Sequence, residues 1–365
     1  MKQLITAALI LLAAHLTASA DVIDSLATYN DTIENRVVPT YINTICPDVP
    51  LRMWKRVCVT GKGAEIRAFS PWKGPSTSVI EYSKVANLYK ETFGDKVQVW
   101  LMPIPTAAAF YSPVNNLNTK EEFSAINLMF ENAAPDVHCV DVHTILAQHV
   151  DEYIYLRTDH HWAPLGAYYA AKRFAALAKV PFRDINDSTS YEKHVIHKFC
   201  GTMYSFSGNI NVKNNPDEFY YWMPVGVDYH ADFVDYIFKG PHLVTGEKPY
   251  KPNTYFREYP DGSPMAYCTF MGGDAHLTHV TTGTKNGRRI LFVKDSFGNA
   301  IPGYLFYSFE ELHVVDCRYF NRNLVEYVEQ HNITDIVLCN NMHFVGAPKI
   351  LNALRVYLTQ NATRQ

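Results

Sequence analysis

The sequence has no run of basic residues and almost no net charge: 33 Lys and Arg stand against 36 Asp and Glu, a formal net charge of -3. That balance excludes the electrostatic footprint of a nucleic-acid binder or of a polybasic membrane-surface protein. There is no CxxC pair, which argues against a cysteine-based zinc site or a thioredoxin-like redox motif. No apolar run reaches the ~18 residues that a membrane-spanning helix needs. Internal repeats and low-complexity tracts are also missing. With 47% apolar and 19% charged residues over 365 positions, the composition is that of a folded chain with a large core, not a disordered one.

What is present begins with an export signal. Lys2 precedes an apolar stretch at 4–14, and Ala18-Ser19-Ala20 has the small residues of a cleavage box, so residues 1–20 read as a signal peptide cleaved after Ala20. The mature chain, 21–365, is then expected in a periplasm or outside the cell, with no stable membrane insertion. Position 21 is Asp, not the Cys of a lipoprotein anchor. Seven cysteines, an odd number, stand at 46, 58, 139, 200, 268, 317 and 339, in a compartment that permits disulfides. Cys46 and Cys58 bracket a short loop and are the expected bridge. Cys139, Cys317 and Cys339 lie in apolar runs and read as small buried residues.

From about residue 78, helical periodicity alternates with short β-rich runs, the pattern of βαβ units and a parallel sheet. Helices are expected at 79–93, 121–132, up to 149, from Pro164 to 177, 300–307, 324–331 and 349–358. Strands are expected at 97–102, 137–142, 153–156, 289–293, 312–315 and 335–339. Residues 181–286 are rich in Tyr, Phe, Pro, Gly and Asn and lack helical periodicity, so they read as a β-rich insertion or subdomain.

Two segments carry chemistry. Ser296 follows a buried-type strand directly, at the carboxyl edge where ligands bind in open α/β sheets. The amides after it, at a helix start, would face a developing oxyanion. The alternative role of Asp295-Ser296 is a helix cap. A serine needs a base, and the base needs a group to orient it. Thr158-Asp159-His160-His161-Trp162 supplies both: residues two apart on an extended backbone project to one side, so Asp159 can fix the imidazole of His161. Asp-His-His also suits a metal, but no second cluster with ligand spacing is evident, and His138, Asp141 and His143 straddle a strand end. No metal and no cofactor are expected.

These two segments, with Gly201-Thr202-Met203-Tyr204, Gly272-Gly273-Asp274 and residues 314–320, resemble the bacterial DHHW protein family. That family is similar to the alginate O-acetyltransferase-like branch of the SGNH hydrolases. The resemblance implies a three-layer α/β/α sandwich with a parallel sheet and a Ser-His-Asp triad in permuted order. Ser296 would be the nucleophile, His161 the base and Asp159 the orienting carboxylate, with His160 and Trp162 in support. It further implies O-acetyl transfer to a polysaccharide or oligosaccharide from a membrane-bound acyl-donor protein. One departure stands out. The expected oxyanion Asn is replaced by Asp274 after Gly273, and an ionised carboxylate has no N–H to donate. Asn340 and Asn341, at a late strand end, are the substitute donors by sequence, and Arg318 is either a substrate-binding cation or the partner of Asp316.

The expectation is therefore an exported serine O-acyltransferase acting on a cell-envelope or secreted polysaccharide. The same residues fit a carbohydrate O-acetyl esterase with water as acceptor. They also fit a non-catalytic polysaccharide-binding or scaffold protein whose aromatic-rich 181–286 segment forms a sugar surface.

Overall fold

The computed structural model describes residues 52–72, 76–112, 119–239, 243–249 and 254–359. Residues 1–20, with the cleavage site, and Cys46 lie outside them. The strands are β1 (Arg52–Trp54), β2 (Val57–Thr60), β3 (Arg67–Phe69), β4 (Gln98–Leu101), β5 (His138–Cys139), β6 (Tyr191–Phe199), β7 (Asp217–Pro224), β8 (Tyr229–Lys239), β9 (Leu243–Pro249), β10 (Leu277–Thr282), β11 (Arg289–Lys294), β12 (Glu311–Asp316) and β13 (Asp335–Cys339). Eight of them form one mixed sheet in the order β5-β4-β13-β11-β12-β10-β8-β9. From β5 to β12 neighbouring strands are parallel; β10, β8 and β9 extend the sheet antiparallel. Residues 181–286 thus supply the hairpin β6-β7 and three strands of the main sheet.

The unbroken apolar runs of the central strands follow from burial on both faces. Side chains alternate along a strand, so Ile290, Phe292 and Val337 enter one core while Leu291, Val293, Ile336 and Leu338 enter the other. Against the first core packs the helix Pro164–Ala178, through Ala167, Ala171 and Phe174; against the second packs Ser76–Phe93, through Tyr82, Val85 and Tyr89. Pro164 occupies the first helical turn, and Lys179 closes the helix in the left-handed conformation, as expected of a Pro that needs no N–H partner there. Cys317 and Cys339 are buried as expected, whereas Cys139 is half-buried. No helix among the described residues is long and apolar enough to cross a membrane.

Three expectations fail. The sheet is mixed, not parallel throughout, because β10, β8 and β9 add to it antiparallel. Tyr153 to Leu156 is not a sheet strand. It makes a single bridge, Tyr155 with Trp162, because the chain folds back on itself: Leu156 N–H donates to the His161 carbonyl (3.3 Å) and Ala163 N–H to that of Ile154 (3.0 Å). The stretch after Ser296 is not an α-helix but two short 3₁₀ turns, Ser296–Ala300 and Pro302–Leu305. Pro302 lacks the N–H that a continuing α-helix requires.

One buried carboxyl gives a pH prediction. Glu122, 2% exposed, accepts from Thr106 N–H (2.6 Å) and meets Thr106 Oγ1 at 2.7 Å. Burial pushes its carboxyl up to about 8, with the Thr106 hydrogen bonds opposing. In the unfolded chain it ionises near its ordinary ~4.3. Between these values the folded state holds the extra proton, so stability falls as pH rises. Glu122→Gln, neutral at every pH, should be more stable than the parent at pH 8 and comparable at pH 5 in urea melts. Equal pH slopes for the two proteins would refute the shift.

Candidate active site

Parallel strands end on one side, so β11, β12 and β13 deliver Ser296, Arg318 and Asn340-Asn341 to the same carboxyl edge. Asp295 sets the serine turn. Its Oδ1 accepts from Phe297 N–H (2.9 Å) and its Oδ2 from Asn341 N–H (2.6 Å), and burial pushes its carboxyl up. Gly298 lets this turn close on β11, since a Cβ there would stand 2.5 Å from Lys294 Cβ.

The three expected residues meet. Ser296 Oγ lies 2.8 Å from His161 Nε2, and His161 Nδ1 lies 2.7 Å from Asp159 Oδ1. With Nδ1–H donating to the carboxylate, Nε2 is left to accept the serine proton. His161 and Asp159 are buried while Ser296 is half-buried. Burial by itself would raise the Asp159 carboxyl, but the charge and hydrogen bond of His161 outweigh it and hold the group well below the usual carboxylate range. Partial burial, reinforced by the neighbouring His161, pushes the His160 imidazole down to about 3.

Sequence reasoning missed the supports. Thr202 donates to Asp159 Oδ2 from its N–H (2.8 Å) and lies 2.9 Å from it through Oγ1, which also meets His160 Nδ1 at 2.5 Å. Tyr267 stacks on the His161 ring at 3.8 Å and 7°. Asp217, fully buried on β7, accepts from Thr158 N–H (2.8 Å) and Thr158 Oγ1 (2.6 Å) and anchors the residue before Asp159. All three supports come from within 181–286. The Gly201-Thr202 pair was noted only as a likeness, and nothing in the sequence signalled Tyr267.

The other expected site residues are placed differently. Trp162 is fully buried, and its Nε1–H donates to the Phe297 carbonyl (2.9 Å), so it braces the serine turn from within the core. Asn340 and Asn341 are also fully buried. Tyr82 donates to Asn340 Oδ1 (2.5 Å) and Asn340 Nδ2 donates to Asp295 Oδ2 (3.4 Å), while Asn341 Nδ2 donates to the Ile104 and Pro105 carbonyls (3.1 and 3.2 Å), so both amides are engaged inside the fold. Gly273 N–H donates to the Phe270 carbonyl (3.0 Å). Asp274 pairs with Arg318 (2.9 Å) and accepts from Asn299 Nδ2 (3.3 Å). Arg318 is held by Asp316 through Nε (2.8 Å) and Nη2 (2.6 Å), and Asp316 in turn binds the buried Lys294 at 2.9 Å. Arg318 is thus ion-paired with both Asp316 and Asp274. The amides after the serine are committed too, Phe297 N–H to Asp295 Oδ1 and Gly298 N–H to the Asp295 carbonyl (3.0 Å).

Gly201 is constrained by close approach. A Cβ on it would stand 2.3 Å from Asp159 Oδ2 and 2.4 Å from Asp159 Cβ. Gly201→Ala must displace the carboxylate and with it His161. Misplacement by about 1 Å costs on the order of 10²-fold in rate, and overpacking costs roughly 1–3 kcal/mol. Steady-state turnover and a thermal melt of the variant should show both losses; unchanged turnover would mean that Asp159 does not position the base.

A family model described as DHHW protein matches residues 19–315. The crystal structure of a DHHW family protein from Eubacterium siraeum DSM 15702 is 32% identical, covers 87% of this chain and 100% of its own, and superposes at a TM-score of 0.74. Bacillus cereus PatB1, in a structure with a sulfonyl adduct, is 14% identical over 83% of this chain and 99% of its own, at a TM-score of 0.60, a likeness of fold. No curated protein matches the chain.

Proposed function

The chain belongs to the DHHW protein family, and from that premise we propose that it is a serine-dependent O-acyltransferase, most simply an O-acetyltransferase, acting outside the cytoplasm on a polysaccharide. The observation that carries this reading is the continuous hydrogen-bonded line from Ser296 Oγ through His161 to Asp159. As Oγ attacks the acyl carbonyl carbon, His161 Nε2 takes its proton, and Asp159 stabilises the imidazolium that forms. The Ser296 backbone N–H is the donor proposed for the oxyanion, since the following amides are committed. Collapse of the tetrahedral intermediate breaks the bond to the leaving group, which takes the proton from His161, and leaves an acyl ester on Ser296. A sugar hydroxyl then attacks that ester while His161 takes its proton; collapse releases the O-acyl sugar, and the proton returns to Oγ. The sulfonyl adduct of PatB1 suggests the probe, because a sulfonyl fluoride reacts with an activated serine.

The test is intact-mass spectrometry of the protein after incubation with a sulfonyl fluoride and, separately, with an activated acetyl ester, with oligosaccharides present or absent. A sulfonyl adduct and an acetyl adduct, both mapped to Ser296, with the acetyl adduct discharged faster when sugar is added, are the expected result. Discharge indifferent to sugar would make the protein an esterase. The absence of any adduct from either reagent, in folded protein, would overturn the nucleophile assignment.

A further inference from the structure

A second cluster of polar side chains lies on the sheet where β10 meets β12. Glu311 and His313 are two apart on β12 and share a face, and the antiparallel register sets His279 of β10 directly opposite His313. The three converge: His279 Nε2 lies 2.9 Å and His313 Nε2 3.3 Å from the same Glu311 Oε2. The two imidazoles stack at 4.2 Å and 15°. The ligand atoms of all three residues lie within 4.8 Å of one another.

We propose that His279, Glu311 and His313 form a binding site for a borderline divalent cation such as Zn²⁺. Two imidazole nitrogens and a carboxylate oxygen are the ligand set such an ion takes. Around a tetrahedral ion with bonds of roughly 2.0–2.1 Å, ligand atoms stand about 3.3 Å apart, close to both nitrogen–oxygen separations here. The surroundings suit ligation. His313 Nδ1 lies 2.7 Å from Tyr327 OH, so the ring can hold its proton there and present Nε2 to the ion. Arg289 Nε donates to the other carboxylate oxygen of Glu311 (3.1 Å), which leaves Oε2 turned to the histidines. His313 is fully buried at the floor, whereas the side chains of His279 and Glu311 are 27% and 22% exposed, which gives an ion a way in. His331, at the end of the helix Leu324–Gln330, has its ring 4.8 Å from that of His313, which brings a third imidazole beside the site. The ion would clamp the antiparallel extension of the sheet to its parallel part, a structural role independent of Ser296.

The probe is Zn²⁺ alone, titrated calorimetrically into chelator-treated full-length protein, with thermal melts in parallel. One equivalent should bind and raise the melting temperature. His279→Gln, a half-exposed position that keeps the fold, should weaken binding at least tenfold and abolish the thermal shift. His160→Gln should leave both unchanged, since the other group among the described residues able to hold a metal is Asp159, His160 and His161. Failure of the parent to bind zinc, or binding undiminished in His279→Gln, would overturn the site.

Discussion

Ser296→Ala should lower turnover by about 10⁴- to 10⁶-fold, the range set by loss of the nucleophile from a working triad, while the protein stays folded. The hydroxyl makes its one described side-chain hydrogen bond to His161 and is half-buried, and substitutions of this kind away from packed networks usually move stability by roughly 0.5 kcal/mol or less. The Asp295 cap that shapes the turn uses backbone N–H groups of Phe297 and Asn341, not the serine side chain. Steady-state kinetics with an activated acetyl ester, run beside a thermal melt, checks both halves. Turnover within tenfold of the parent would remove Ser296 from the mechanism.

Asp159→Asn should cost about 10⁴-fold, the penalty when an orienting carboxylate becomes an amide and the imidazole is held in the wrong tautomer. Unlike the serine variant, it should also destabilise. The neighbours that meet the Asp159 oxygens all act as donors: His161 N–H (3.0 Å), His161 Nδ1–H (2.7 Å), Thr202 N–H (2.8 Å) and the Thr202 hydroxyl (2.9 Å). An amide NH₂ placed toward any of them sets donor against donor, and an unsatisfied buried polar group costs roughly 1–3 kcal/mol. The expected signature is lost turnover together with a lowered melting temperature. Lost turnover with an unchanged melt would mean that Thr202 and His161 reorganise freely around the site, contrary to the packing of Gly201 against Asp159.

Much of the fold was legible because burial on two faces forces long apolar runs. That is why β11 and β13 were recognised within a residue or so of their ends, and why the small residues of 164–178 marked a helix packed closely on the sheet. Tyr153 to Leu156 misled for a related reason: Ile154, Tyr155 and Leu156 are buried, but in a loop that pairs with itself. Polar residues misled in the opposite sense. Asn340 and Asn341 read as substitute oxyanion donors at a strand end; both are buried, and the Asn341 N–H holds Asp295, a role that exists only once β13 lies beside β11.

The sequence by itself determined the residue types of the candidate site and the local units that present them: a strand-end serine, and an aspartate two residues before a histidine. These rest on spacing within a few residues, where backbone geometry leaves little freedom. The tertiary structure decided everything that depends on elements distant in the chain. It brought Ser296 to His161 across 135 positions and set Thr202 and Tyr267 around the base. It turned Trp162 inward, spent Arg318 on Asp316 and Asp274, and placed His279 opposite His313. The physical reason is that strand order and register, fixed by the packing of both sheet faces as a whole, determine which side chains become neighbours, and no local pattern encodes them.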